Sequence, residues 1–252
     1  MTETDPAAIN PLNDLIRNPP KDPRQNAIYR DRLLTECEKD PAIASDALAI
    51  CSREIIWCFD TFFMTFDPRR PSAGIPFVLW DYQEDLVRSL EDHYQHRKDL
   101  LIEKSRDMGV TWVILCWLFW HWRFTKGFQA LIGSRLETLI DNRGDMSTHF
   151  ERLRWITQHI PKWWMPPRFK AEKHSTFMQL INPDMTSGIV GQAVTDDFSR
   201  QGRFGIAWVD EFAFCEAAEN AWRAMADSAP MRLPVSSPDG LGNKFAALRR
   251  SA

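Results

Sequence analysis

Beyond residue 75, short apolar runs alternate with longer helical patterns, and this alternation narrows the possible folds more than any other property of the chain. The runs Leu100–Glu103, Ala130–Gly133, Thr176–Ile181, Gly188–Gln192, Ile206–Val209 and Arg232–Val235 have the length and character of strands. Between them, Tyr82–His96, Gly109–Phe124, Leu136–His159 and Ala217–Asp227 read as helices. Strands joined by helix-length crossovers run parallel, and a parallel sheet needs helices on both faces. The sequence therefore predicts an α/β domain with a mostly parallel central sheet flanked by helices. Ligands in such sheets bind beyond the carboxyl ends of the strands. The residues that follow each strand are thus the ones to read for function.

Upstream the texture differs. Residues 1–27 hold five prolines (Pro6, Pro11, Pro19, Pro20 and Pro23) and few large apolar groups, which predicts a flexible arm. Residues 28–74 form an expected helical N-terminal segment, patterned as helix from Ile28 to Phe66. Within Ala42–Thr65, the residues Ile43, Ala47, Ile50, Ile55, Phe59, Phe62 and Phe63 recur at helical spacing. Asp67-Pro68-Arg69-Arg70-Pro71 ends the pattern. The α/β core then occupies 75–252, and a hydrophobic content of 44% is enough to fill it.

Charge and cysteine usage exclude some classes. The net charge is only −3, so contact with nucleic acid has to come from a local patch. One candidate lies in 143–173, where Arg143, Arg152, Arg154, Lys162, Arg168, Lys170 and Lys173 outnumber Asp145, Glu151 and Glu172. Trp155, Trp163 and Trp164 are interleaved. Such a stretch can grip phosphates without reading sequence, or it can be a solvated helix followed by a Pro/Trp packing turn; the second is favoured. The five cysteines, Cys37, Cys51, Cys58, Cys116 and Cys215, are odd in number and contain no CxxC. Neither a disulfide framework nor a zinc knuckle is expected, and a reducing compartment fits. The polar N-terminus is no signal peptide, and the most apolar stretch, Val110–Trp120, is too short to span a bilayer. A soluble, cytoplasmic protein without a membrane partner is expected. His93 and His96 have no accompanying carboxylate or cysteine cluster and read as surface residues, whereas Trp112, Trp117, Trp120 and Trp122 read as helix core.

Four strand ends carry chemistry. After Leu100–Glu103 come Lys104, Ser105, Arg106, Asp107, Met108, Gly109, Val110 and Thr111, opening an apolar helix. A loop between a buried strand and a helix N-terminus offers free backbone N–H groups and the positive end of the helix dipole, where phosphates are held. Gly109 permits a tight turn, and Thr111 stands where a phosphate-loop hydroxyl meets Mg²⁺. The usual pattern is GxxxxGK[ST]. Here Val110 takes the lysine position, with Lys104 and Arg106 supplying cations, so an ordinary strand–helix turn competes. The strand Ile206–Val209 ends in Asp210-Glu211. Paired carboxylates there suit metal support and polarisation of an attacking water, and a helix-start acid pair is the alternative. Tyr82-Gln83, about twenty residues before the loop, offers an amide donor and acceptor for an adenine edge, with Tyr82 or Trp80 as a stacking ring; taken alone, a solvent-facing helix start is favoured. Ser236-Ser237, after the last strand, can hydrogen-bond to a phosphate or form a plain turn.

Together these residues resemble the large terminase subunits of tailed bacteriophages. The resemblance rests on Thr65-Phe66-Asp67-Pro68-Arg69, Tyr82-Gln83, Lys104 to Trp112, Ile132-Gly133-Ser134-Arg135, Trp208-Val209-Asp210-Glu211 and Ser236-Ser237-Pro238 with Gly240, and covers about residues 55–245. Several terminases carry the loop lysine at the front of the motif, as Lys104 does here. The resemblance implies a P-loop NTPase core that hydrolyses ATP with Mg²⁺. Gln83, with Tyr82, would sense adenine. Lys104 through Trp112 would bind the nucleotide, Thr111 and Asp210 the metal, and Glu211 would be the catalytic carboxylate. Ser236 and Ser237 would couple hydrolysis to movement. Arg200 and Arg203 are candidates for an arginine reaching a neighbour's nucleotide, with Arg106 as a same-chain alternative, and solvated loop arginines are the competing reading. The implied partners are double-stranded DNA bound without sequence preference, the portal protein, the small terminase subunit and further copies in a ring on the procapsid, in the host cytoplasm. Large terminases continue into a nuclease domain. The chain stops at Ala252, so no DNA cleavage is expected of it. A helicase-like translocase and a catalytically weak docking module are the alternatives.

Overall fold

The structure, a computed structural model, describes residues 18–70, 74–200 and 202–251. The chain folds as two compact units, one ending at Trp80 and the other running Asp81–Ala252.

In the first unit, helices α1 (Pro23–Lys39), α2 (Pro41–Cys51) and α3 (Ile55–Phe62) precede a small antiparallel pair, β1 (Met64–Phe66) and β2 (Gly74–Pro76). Asp22 and Asp40 cap α1 and α2 through their carboxylates, each followed by a proline at the first helical position. Arg30, only 5% exposed, donates to the carbonyls of Phe59, Asp60 and Phe63 and so closes the end of α3. Burial draws its pKa down to about 10 against the pull of Asp60. Three sequence expectations change here. Helix α1 begins at Pro23, inside the expected arm, whose residues 1–17 lie outside the described ones. The helical pattern stops at Phe62, because Phe63 turns extended and starts β1. Cys51 and Cys58 form a disulfide with Cα atoms 4.8 Å apart, contrary to the expectation of none. The short turn between α2 and α3 brings residues from two helices face to face, a proximity that cysteine spacing does not encode.

The second unit is a seven-stranded sheet in the order β3 (Ile102–Glu103), β9 (Arg232–Ser236), β8 (Ile206–Asp210), β4 (Gln129–Ser134), β7 (Ser187–Ala193), β6 (Gln179–Asn182), β5 (Ser175–Thr176). The first five strands are parallel, and β6 and β5 are antiparallel at the edge. Its helices are α4 (Asp81–His96), α5 (Val110–Phe124), α6 (Glu137–Ile140), α7 (His149–His159), α8 (Ala171–His174), α9 (Ala218–Ser228) and α10 (Lys244–Ser251). Side chains alternate along a strand, and β8 shows both faces at work. Ala207 and Val209 pack in a core with Met225 of α9 and Phe245 of α10. Trp208 points the other way and meets the His149 ring edge-on at 4.9 Å. Helix α5 is buried except at Thr111, Arg123 and Phe124, as its near-continuous apolar sequence requires.

Two expected elements are broken. Leu136–His159 is two helices, α6 and α7, separated by residues 141–148, where Gly144 takes φ +83° and Asp145 accepts from the Ser147 amide. Thr176–Ile181 is a hairpin, not one strand. Met178 takes φ +51°, and its amide donates to the buried Asp141 carboxylate at 2.7 Å. The same carboxylate pairs with Arg154, which also holds Glu151 at 2.7 Å. Arg168 pairs with Asp184. Of the expected basic surface, Arg154 is thus turned inward to a buried acid, and Arg168 is paired at the surface.

Candidate functional site

The loop between β3 and α5 and the end of β8 flank β9, one strand apart on either side. Neighbouring strands lie roughly 4.8 Å apart, so the two strand ends stand about 10 Å from each other, a gap that side chains can bridge. They do bridge it. The Thr111 hydroxyl donates to Asp210 Oδ2 at 3.1 Å. Lys104 Nζ stands 3.1 Å from Glu211 Oε1 and 3.5 Å from Asp210 Oδ1. The strand between them ends in Ser236, whose buried Oγ accepts from the Ala213 amide, and the next residue, Ser237, has its hydroxyl 3.4 Å from Glu211 Oε2.

Backbone geometry sharpens the arrangement. Gly109 sits at φ +70°, and a Cβ there would lie 2.8 Å from Gln83 Nε2, so this turn needs glycine. Glu211 also takes a left-handed conformation, φ 54° and ψ 41°, which costs a non-glycine residue about 1–2 kcal/mol. That conformation turns the chain so that Glu211 parts from Asp210 and faces Ser237. Tyr82 and Gln83, at the start of α4, both donate to the Met108 carbonyl, at 3.0 and 3.1 Å. They clasp the loop.

Asp210 is 6% exposed, and burial opposes its charge. His149, Lys104 and the Thr111 hydroxyl outweigh burial and hold its carboxyl at about 2. His149 Nε2 lies 3.1 Å from Oδ2, and Oδ1 accepts from the Glu211 amide at 3.1 Å. Among the described residues no cluster of three or more His, Cys, Asp or Glu forms a ready-made metal cage. The donors present, a hydroxyl and a carboxylate, are hard oxygens, which fits Mg²⁺ held by one protein carboxylate together with substrate phosphates.

The remaining sequence candidates stand differently. Ser105, Arg106 and Asp107 are exposed on the loop, and Trp112 faces α7, edge-on to Trp155 at 5.6 Å. Arg200 pairs with Asp197, and Arg203 donates to the Gly202 carbonyl. With Arg223 they line a surface cavity of about 500 Å³. Sequence reasoning missed two residues. His149 touches Asp210. Arg152, one turn further along α7, stands 5.4 Å over the Trp112 ring and donates to the Met146 carbonyl. Burial lowers the Arg152 pKa, against the fields of Asp210 and Asp145. The available signal is two basic side chains three apart on a helix face; the basic stretch of 143–173 includes Arg152 as a surface cation and leaves out His149.

The architecture has known counterparts. The large terminase of bacteriophage HK97 matches 80% of this chain with a TM-score of 0.56 at 15% sequence identity. The fold is that of a phage large terminase. This chain spans 41% of the HK97 terminase. A mutant of the large-terminase ATPase domain of Thermus phage P74-26 also matches, over 59% of this chain and 62% of that one, with a TM-score of 0.41 at 16% identity. The fold assignment rests on the first match. No family model and no curated protein sequence matches the chain.

Proposed function

We propose that this chain is the ATP-hydrolysing motor domain of a viral DNA-packaging terminase, coupling hydrolysis to the translocation of double-stranded DNA into a procapsid. The observation that carries the reading is the meeting of Lys104, Thr111, Asp210 and Glu211 across β9, on a sheet of terminase fold. Loop residues 104–111 present backbone N–H groups and the α5 N-terminus to the phosphates. Thr111 and Asp210 would hold Mg²⁺, which neutralises charge on the β- and γ-phosphates when bound. Lys104 neutralises the two acids here, and a triphosphate would compete for its ammonium group. Released from Lys104, Glu211 orients the attacking water and takes its proton. Ser237 touches the same carboxylate and is placed to report its state to the segment after β9. Gln83, already holding the loop carbonyl, is the candidate for the adenine edge. Arg200 or Arg203 would act on a neighbour's nucleotide, with Arg106 the same-chain candidate, in a ring of copies at the portal. The small terminase subunit and double-stranded DNA complete the assembly in the host cytoplasm.

Steady-state hydrolysis of ATP with Mg²⁺ tests this. Glu211→Gln should lower kcat by about 10²- to 10⁴-fold, the usual contribution of a positioned base, while nucleotide binding persists. Lys104→Ala should weaken nucleotide binding itself. Wild-type rates in both variants would reject the site.

A further inference from the structure

We propose that His149 is a positioning residue that aims the Asp210 carboxylate at the metal position of the nucleotide site. The proposal rests on the reading of Asp210 as a metal-supporting group and assigns that group its outer partner.

Three constraints fix the imidazole. Nδ1 faces the Leu139 carbonyl at 3.2 Å, Nε2 faces Asp210 Oδ2 at 3.1 Å, and the ring lies edge-on to Trp208. The histidine and the carboxylate are both buried, with side-chain exposures of 6% and 8%. A carboxylate alone at a strand end can rotate about its Cβ–Cγ bond. Here Oδ2 is held from two sides, by Thr111 from α5 and by His149 from α7, while Oδ1 accepts from the Glu211 amide. The plane of the carboxylate is thereby set by three elements at once. Asp210 and Trp208 project from the same face of β8, two residues apart. The ring that packs on Trp208 is therefore already in register to reach Asp210. Leu139 belongs to α6, so the imidazole also ties the break between α6 and α7 to the site. A residue conserving only the shape of the core would need no polar atom at Nε2. This one spends that atom on the buried acid.

Replacement of a group that orients a metal-supporting ligand typically costs 10- to 100-fold in metal affinity. The test is Mg²⁺ titration of fluorescent ATP-analogue binding, read beside binding of the same analogue in EDTA. His149→Phe keeps a ring against Trp208 and removes the donor. Its Mg²⁺ midpoint should rise by about 10-fold or more, with affinity in EDTA unchanged. His149→Gln places an amide Nε2 near the same position and should recover most of the shift. It also serves if the Phe variant fails to fold. His159→Asn, at the far end of α7, is the control and should titrate as wild type. A normal Mg²⁺ midpoint in His149→Phe overturns the proposal. So does equal weakening with and without Mg²⁺, or a shift in Phe that Gln does not reverse; both describe a purely structural histidine. If Asp210→Asn abolishes the Mg²⁺ dependence while His149→Phe does not move it, only this inference fails. If the wild type shows no Mg²⁺-dependent nucleotide binding, the functional reading falls with it.

Discussion

At the scale of single residues, the site depends on two backbone conformations that the rest of the fold must hold. Gly109 is one. Alanine there meets both an unfavourable positive φ and the Gln83 amide at 2.8 Å. Gly109→Ala should lower stability by about 1–2 kcal/mol in denaturant unfolding and weaken nucleotide binding more than that loss explains, because the Gln83 amide must move off the loop to admit the methyl group. Glu211 is the other. Its left-handed backbone stores strain beside the acid that the proposed chemistry uses. Glu211→Gly should relieve that strain and lose a partly exposed ion pair worth roughly 0–1 kcal/mol. Unfolding midpoints should therefore match or exceed wild type while ATP hydrolysis disappears. A large loss of stability would show that the acid also holds the fold.

At the scale of elements, α6 and α7 show how polar groups shape a chain that its periodicity reads as one helix. Arg154, 9% exposed at its side chain, pairs with the fully buried Asp141, and Asp141 also binds the turn of the β5–β6 hairpin. Removing one partner of such a pair leaves a charge without compensation in the core, at a cost of about 3–5 kcal/mol. Arg154→Ala should show a loss of that order in chemical denaturation. Arg168→Ala, whose side chain is 69% exposed against Asp184, should lose less than about 1 kcal/mol. The contrast separates two arginines that look alike in the sequence.

At the scale of the whole molecule, apolar burial governs what solvent can reach. Cys37, Cys116 and Cys215 are all buried, and burial raises each thiol, to about 11 for Cys37 and about 12 for Cys215. Folded protein at pH 8 should therefore react with a thiol reagent far more slowly than denatured protein, since thiolate is the reacting form; rapid labelling of all three in the native state would contradict this packing. No helix among the described residues is long and apolar enough to cross a membrane. With a net charge of −3, the proposed binding to double-stranded DNA would have to rest on local cations. It should then weaken by about 10-fold or more between roughly 50 and 200 mM salt, with no sequence preference.

The strand–helix alternation, and with it the mostly parallel sheet, is legible in the chain because element type follows from local periodicity. Lys104, Asp210, Glu211 and Ser237 are legible there as residues at strand ends, and Thr111 as one in the first turn of the helix after a strand. The sequence did not determine that β9 lies between β3 and β8, which is what brings the loop to the acids. Nor did it reveal His149 behind Asp210, the Cys51–Cys58 bond or the inward turn of Arg154. Those are pairings between residues distant along the chain or across a turn. A buried charge takes whichever partner the closed fold brings near, and only tertiary packing makes that choice.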